Sequence, residues 1–363
     1  MTVKYRNLLL AIAFWLSAIF WQLFGAGRSL IIEGRPTFDT TSLTPVLLIA
    51  IASALFLSSW PRQQLPLAYS TNSRLENFID VWGSRCVLVG CRAILAVFVF
   101  RPNRFAHFAR EDGLIESLSA GLPFVSGAIL LYLSIFRSRT YSQSLAERLF
   151  LVGCTAIFFL IGLEEVSWFQ RDLGIETPEF FERNLQGELN FHNFATNFFE
   201  NLYYGAAFAS FVLAPYLYAC STWLRRRLSA KLVPGLAPFV AVAISCSYNY
   251  DMWIGIPMQI ALWLAALIVL DQARQANTEK RSFVLWASVT LMAISQLVYL
   301  VRGEMFVRLK DITEYREYLV AVGIFLYAIE LLVRRRMDNA IVDRRTDHTA
   351  ERPFSTNARP PVS

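Results

Sequence analysis

The feature that most constrains this chain is the recurrence of apolar stretches long enough to cross a bilayer. A transmembrane helix needs about 20 consecutive, mostly apolar residues, and an open sheet cannot cross because lipid leaves its edge hydrogen bonds unmade. Such stretches recur at 7–25, 43–60, 81–100, 114–136, 148–166, 202–222, 235–250, 253–271, 282–301 and 317–333. They predict an all-α fold: a polytopic transmembrane helix bundle of about ten spans occupying 1–336, with a disordered polar tail at 337–363. The first stretch follows Lys4 and Arg6 but is longer than a signal core and lacks a small-x-small cleavage site, so it reads as a retained span. Composition agrees, because 55% hydrophobic and 17% charged residues are too few polar groups to cover a soluble surface. Two stretches are irregular. Segment 81–100 contains Arg92, and 235–250 is short and ends in Ser-Tyr-Asn-Tyr-Asp, so it is either a span or half of a hairpin with 253–271.

Loop charge orients the bundle. With the N-terminus in the cytoplasm, the Arg225–Arg227 and Arg334–Arg336 clusters fall on the cytoplasmic side, as do Arg274, Lys280 and Arg281. Such a bias places both termini on the cytoplasmic side. The net charge of +6 is then a topology signal and implies no nucleic-acid partner. The five cysteines all fall within predicted spans, with no C-x-x-C pair, so they read as buried apolar groups. No phosphate-binding loop, nucleophile elbow, H-E-x-x-H or EF-hand pattern occurs.

The unusual polar residues collect in three outer loops, 101–114, 164–201 and 302–316. Glu164 and Glu165 continue directly from an apolar run, so at least one lies below the interface. An ionised group there costs about 2.5–3.5 kcal/mol, and such groups face a bundle interior, a partner or water. Glu164, Trp168 and Arg171 share one helical face by spacing. Further on, Glu188, His192, Thr196 and Glu200 recur every four residues, beside an Asn190, Asn193, Asn197 and Asn201 stripe and the apolar Phe191, Phe194, Phe198 and Phe199. This predicts an amphipathic outer-face helix leading into the sixth span. Asp112 and Glu116 are likewise four apart, at the mouth of the fourth span.

These spacings suggest one cavity shared by Asp112, Glu116, Glu165, Glu188 and His192. Crowded carboxylates share protons, pair with arginine or bind a cation. A mixed carboxylate and imidazole shell of this kind suits a divalent metal ion such as Zn, Mn or Fe. The alternatives are packing and capping at the water boundary, with His192 hydrogen-bonding its loop and Asp112 capping the fourth span. Arg302, Arg308 and Lys310 stand beside Glu304, Glu314 and Glu317, either to meet an anionic head group or to form mutual salt bridges. Arg92, a charge within a span, expects an outer-half carboxylate such as Glu116 as its partner, or else snorkels.

The strings Glu111-Asp-Gly-Leu-Ile-Glu116, Gly162-Leu-Glu-Glu-Val-Ser-Trp-Phe-Gln-Arg171, Thr177-Pro-Glu-Phe-Phe181 and Gln186-Gly-Glu-Leu-Asn-Phe-His-Asn193 together resemble an uncharacterised group of bacterial multipass membrane proteins. Members of that group carry an EDG-type segment, a GEE-type segment running into Ser-Trp-x-Gln-Arg, a TPEFF-like turn and an N-x-H-N ending. Here the GEE position reads Gly-Leu-Glu-Glu, and Phe169 stands where a glycine is expected. The resemblance covers about a tenth of the chain and implies a bacterial inner-membrane protein with distinctive outer loops, and no activity.

Three functions compete. The first is an outer-leaflet enzyme, a hydrolase or transferase acting on a lipid or lipid-linked envelope substrate. In it Glu164, Glu165, His192 and Arg171 are catalytic, Glu188 with the carboxylates above forms the metal shell, and Arg302, Trp168, Asn193 and Arg92 bind substrate. The second is a transporter or flippase. The third is an assembly partner docking through 164–201.

Overall fold

The computed structural model describes residues 3–60, 74–110, 113–136, 144–184 and 187–350. Asp112, part of the expected cluster, lies outside the described residues. Those described form an all-helical protein, 80% helix with no strands. In chain order the main helices are α1 (Val3–Gly25), α2 (Thr40–Ser59), α3 (Arg74–Phe100), α4 (Leu114–Ile135) and α5 (Leu145–Glu165). After a long connection come α6 (Thr196–Cys220), α7 (Leu236–Ser245), α8 (Ile256–Gln275), α9 (Glu279–Val301) and α10 (Asp311–Ala350).

Eight helices among the described residues, α1–α6, α8 and α9, are long and apolar enough to cross a membrane. The protein is therefore a multi-pass integral membrane protein. Two expected spans differ. Helix α7 has only 10 residues, about 15 Å at 1.5 Å per residue against a hydrocarbon core of about 30 Å. Every residue from Leu236 to Ser245 is buried, so α7 is a central plug packed mainly against α3, α6 and α10, with α8 and α9 completing its surround. The stretch 317–333 lies inside α10, which carries Glu317, Glu330 and Arg334 along its apolar length and continues to Ala350, past the composition boundary at 336.

Local chemistry sets the helix starts. Asp39 caps α2 by accepting the Ser42 N–H at 2.8 Å, and Ser144 with Glu147 forms a reciprocal capping box on α5. The N-terminus of α7 is capped from other helices: Gly235 N–H donates to Glu330 Oε2 (2.8 Å) and Leu236 N–H to Asp80 Oδ1 (3.0 Å). This matters because orphan N–H groups in a buried plug have no water to turn to. At Gly323, a Cβ would sit 2.6 Å from Val242, so the missing side chain is what lets α10 lie directly on α7.

Between α7 and α8 the backbone is non-helical and buried from 247 to 255. Its polar groups are met by α10 and α9. Arg316 Nε donates to the Tyr248 carbonyl at 2.6 Å, and Gln296 Nε2 to the Asn249 carbonyl at 2.9 Å. Thr313 donates to the Asp251 carboxylate. Irregular backbone at bundle depth persists only where protein satisfies it in this way.

Candidate functional site

The connection from α5 to α6 is built on one glutamate. Glu164 Oε1 accepts the Trp168 indole N–H at 2.9 Å. Its Oε2 accepts the backbone N–H groups of Phe191 (2.8 Å) and His192 (3.1 Å) and lies 3.7 Å from His192 Nδ1. The last turn of α5 thereby gathers the far end of its own connection. Ser167, Trp168 and Phe169 follow with φ of 45°, 56° and 58°, three successive left-handed residues without glycine. Each costs about 1–2 kcal/mol, and each side chain is anchored. Ser167 Oγ donates to Glu188 Oε2 at 2.6 Å, Trp168 to Glu164, and the Phe169 ring stacks on Phe124 at 5.8 Å.

The expected amphipathic helix across Glu188 and His192 does not form. Residues 187–195 make turns, with a short 3-10 helix at His192–Phe194, and α6 begins only at Thr196. The cause is side-chain competition for the backbone. Asn184 Nδ2 donates to the Glu188 and Asn190 carbonyls, and Asn184 Oδ1 accepts the Glu188 N–H. Gln170 Oε1 accepts the Leu189 N–H, Thr177 donates to the Gly187 carbonyl, and Gly187 itself takes φ +63°. The glutamine and threonine of the resembling strings, together with Asn184 between two of those strings, are thus pins of this loop.

Although that helix is absent, the carboxylates do converge. A cavity of about 630 Å³ is lined by Glu164 and Glu165 at the end of α5, by Glu188, His192 and Asn193 of the connection, by Glu116 of α4 and Glu200 of α6, and by Glu314 and Glu317 of α10. Three of these stand in the sequence only as a member of the four-residue stripe, Glu200, and as acids of the third outer cluster, Glu314 and Glu317; nothing local announces that they face Glu165. Tyr203 lines the same space, and Tyr204 donates to Glu317 Oε1 at 2.7 Å. Beneath them the buried Arg316 guanidinium lies over the Tyr204 ring at 4.7 Å.

Other expected residues stand apart. Arg92 is exposed on α3 and does not line the cavity. Arg302 is exposed, its guanidinium 3.4 Å from Met305 Sδ. Trp168 acts through Glu164, and the side chain of Arg171 lies outside the described residues. The cations that do line the cavity are engaged: Arg308 with Asp311 (2.8 Å) and the Ala109 carbonyl (2.6 Å), and Lys310 at 3.8 Å from Glu33. Burial raises the Glu33 pKa above the ordinary carboxylate value despite Lys310. Among the described residues no group of three or more His, Cys, Asp or Glu is arranged to hold a metal ion. The carboxylates line a roomy space and do not close on one point.

The mouth of the cavity is apolar. Ile157 and Leu160 of α5, and Phe199, Leu202 and Ala206 of α6, line it while remaining exposed on the outside of the bundle. The apolar end of the cavity is thus a slot between α5 and α6, lined by residues exposed on the outside of the bundle. No family model matches this chain, and no curated protein or solved structure matches it.

Proposed function

We propose that this integral membrane protein is an enzyme of the outer leaflet, performing acid–base chemistry on a lipid or lipid-linked envelope substrate. The observation that carries the reading is the meeting of carboxylates from α4, α5, α6 and α10 with His192 in one cavity that has an apolar side between α5 and α6. Glu164 fixes the His192 turn through its backbone N–H groups and stands 3.7 Å from Nδ1. A carboxylate this near Nδ1 would orient the imidazole for proton transfer once it closed to hydrogen-bond distance. Glu165, projecting into the cavity beside it, is the candidate for the complementary proton role. The topology that accompanies this proposal has ten membrane segments, α7 being partial, in a bacterial inner membrane with both termini cytoplasmic.

The test is complementation of a strain lacking the gene. Glu165→Gln combined with His192→Ala should accumulate normally and fail to complement, and full complementation would dismiss the enzyme. Glu164→Gln is unsuited to this purpose because it also unpins the loop.

One observation favours a transporter: the buried break between α7 and α8, held by Arg316 and Asp251. Discontinuous helices of this kind line solute sites in transporters. Solute flux into proteoliposomes that disappears in Asp251→Asn protein, with unchanged complementation by the Glu165 and His192 variant, would shift the reading there. Docking of an assembly partner through 164–201 would show as a stoichiometric co-purifying protein lost when 172–190 is replaced.

A further inference from the structure

We infer that the cavity takes an amine-bearing amphiphile, whose chain enters from the bilayer through the slot between α5 and α6 and whose head group donates to the glutamates within. This rests on the reading above and narrows its substrate. Three independent observations support it. First, the lining is strongly acidic, with seven glutamates against Arg308 and Lys310. Those two cations are taken up by Asp311 and the Ala109 carbonyl, and by Glu33. An anionic phosphate would meet like charge, which complementary sites avoid. An ammonium group would meet several carboxylates, to which its charge-assisted hydrogen bonds are strong.

Second, a buried acceptor on the wall waits for a donor. Asn190 lines the cavity, is 2% exposed, and its Oδ1 has no hydrogen-bond partner among the described residues. Its amide orientation follows from its neighbours, because Nδ2 donates to Ser167 Oγ at 3.1 Å and faces the Glu188 carboxylate at 3.5 Å. Thr196 Oγ1, also on the wall, is likewise without a partner among the described residues. A buried polar atom left unpaired is costly, so it marks where a ligand donor gains most.

Third, the slot is long enough for the first methylenes of an acyl chain. Ile157 lies seven residues before Glu164 and Ala206 six after Glu200, so the exposed apolar lining descends about 10 Å along both helices. A fully soluble amine would not need that wall. An amphiphile would bury its first methylenes against it.

The experiment uses the full chain in phosphatidylcholine nanodiscs, with dodecylamine or dodecyl phosphate added at equal membrane mole fraction and thermal unfolding as the readout. Dodecylamine should raise the unfolding midpoint of the wild-type protein by several degrees, saturably, while dodecyl phosphate leaves it unmoved. Ala206→Trp, which fills the slot and leaves every carboxylate in the sequence, should abolish the shift, as should Glu200→Gln. An equal or larger shift with dodecyl phosphate would overturn the inference, as would an amine shift that survives both variants. The two readings separate cleanly. Phosphate preference with lost complementation removes the amine and leaves the enzyme; an amine shift with intact complementation does the reverse.

Discussion

Arg316 Nη2 lies 3.3 Å from Asp251 Oδ1, and neither side chain exposes more than 2% of its surface. The pair ties α10 to the irregular backbone between α7 and α8, with Arg316 also donating to the Tyr248 carbonyl and to Asn249 Oδ1. Removing one member of a buried pair strands the other charge and costs about 3–5 kcal/mol. Arg316→Met should therefore lower stability by about that amount, read as the loss of unfolding midpoint in nanodiscs. Arg316→Lys should fail to restore it, because an ammonium cannot reach Tyr248 and Asp251 as a planar fork does. Wild-type stability in either variant would contradict this.

Glu164 is expected to be a loop-holding residue as well as a cavity residue. A glutamine in its place turns an amide donor toward at least one of the three N–H groups that the carboxylate now accepts. Leaving such donors unmet costs about 1–3 kcal/mol. Glu164→Gln should speed proteolytic nicking within 174–190, whereas Glu165→Gln should not. Equal nicking rates would mean that the three bonds are dispensable.

Two glycines should respond oppositely to alanine. At Gly235 a Cβ would meet Glu330 Oε1 at 2.5 Å and Asp80 Oδ1 at 2.7 Å, inside the buried cap of α7. Gly235→Ala should destabilise by about 1–3 kcal/mol. At Gly90, exposed within α3, a Cβ meets nothing within 4 Å, and Gly90→Ala should stabilise by up to about 1 kcal/mol through helix propensity. Thermal unfolding of the two variants side by side checks both signs.

Asp39 supplies a pH test outside the membrane. Hydrogen bonds from the Thr41 hydroxyl and the Ser42 N–H hold its pKa down at about 2, below the ordinary 3.8. A depressed carboxylate contributes stability that is complete above its unfolded value and is lost as pH falls through the folded one. Asp39→Ala should therefore unfold at a lower temperature than wild type at pH 5. That gap should narrow below pH 4 and close near pH 2. A gap constant across the range would show that Asp39 contributes nothing by ionisation.

The resembling strings illustrate how a local pattern was half legible. Four-residue spacing put Glu188 and His192 on a helix, yet Asn184, Gln170 and Thr177 bond the backbone there and convert the segment to turns. The spacing was real, but the neighbours outbid the helix for its own N–H and carbonyl groups. Likewise 235–250 read as a span by its apolarity, and became a ten-residue plug because the buried Asn249 and Asp251 find partners only where the helix has ended.

By itself the sequence determined that this is a multi-pass helical membrane protein with its polar residues massed in a few connections. That information is local, since length and apolarity of a segment decide whether lipid will accept it. The spacing already suggests a shared cavity for Glu116 and Glu165; only the tertiary structure decided that Glu200, Glu314 and Glu317 line it too, and that Arg92 and Arg302 do not. Which faces of α4, α5, α6 and α10 meet depends on how those helices pack, and packing between segments up to 200 residues apart leaves no periodicity along the chain to read.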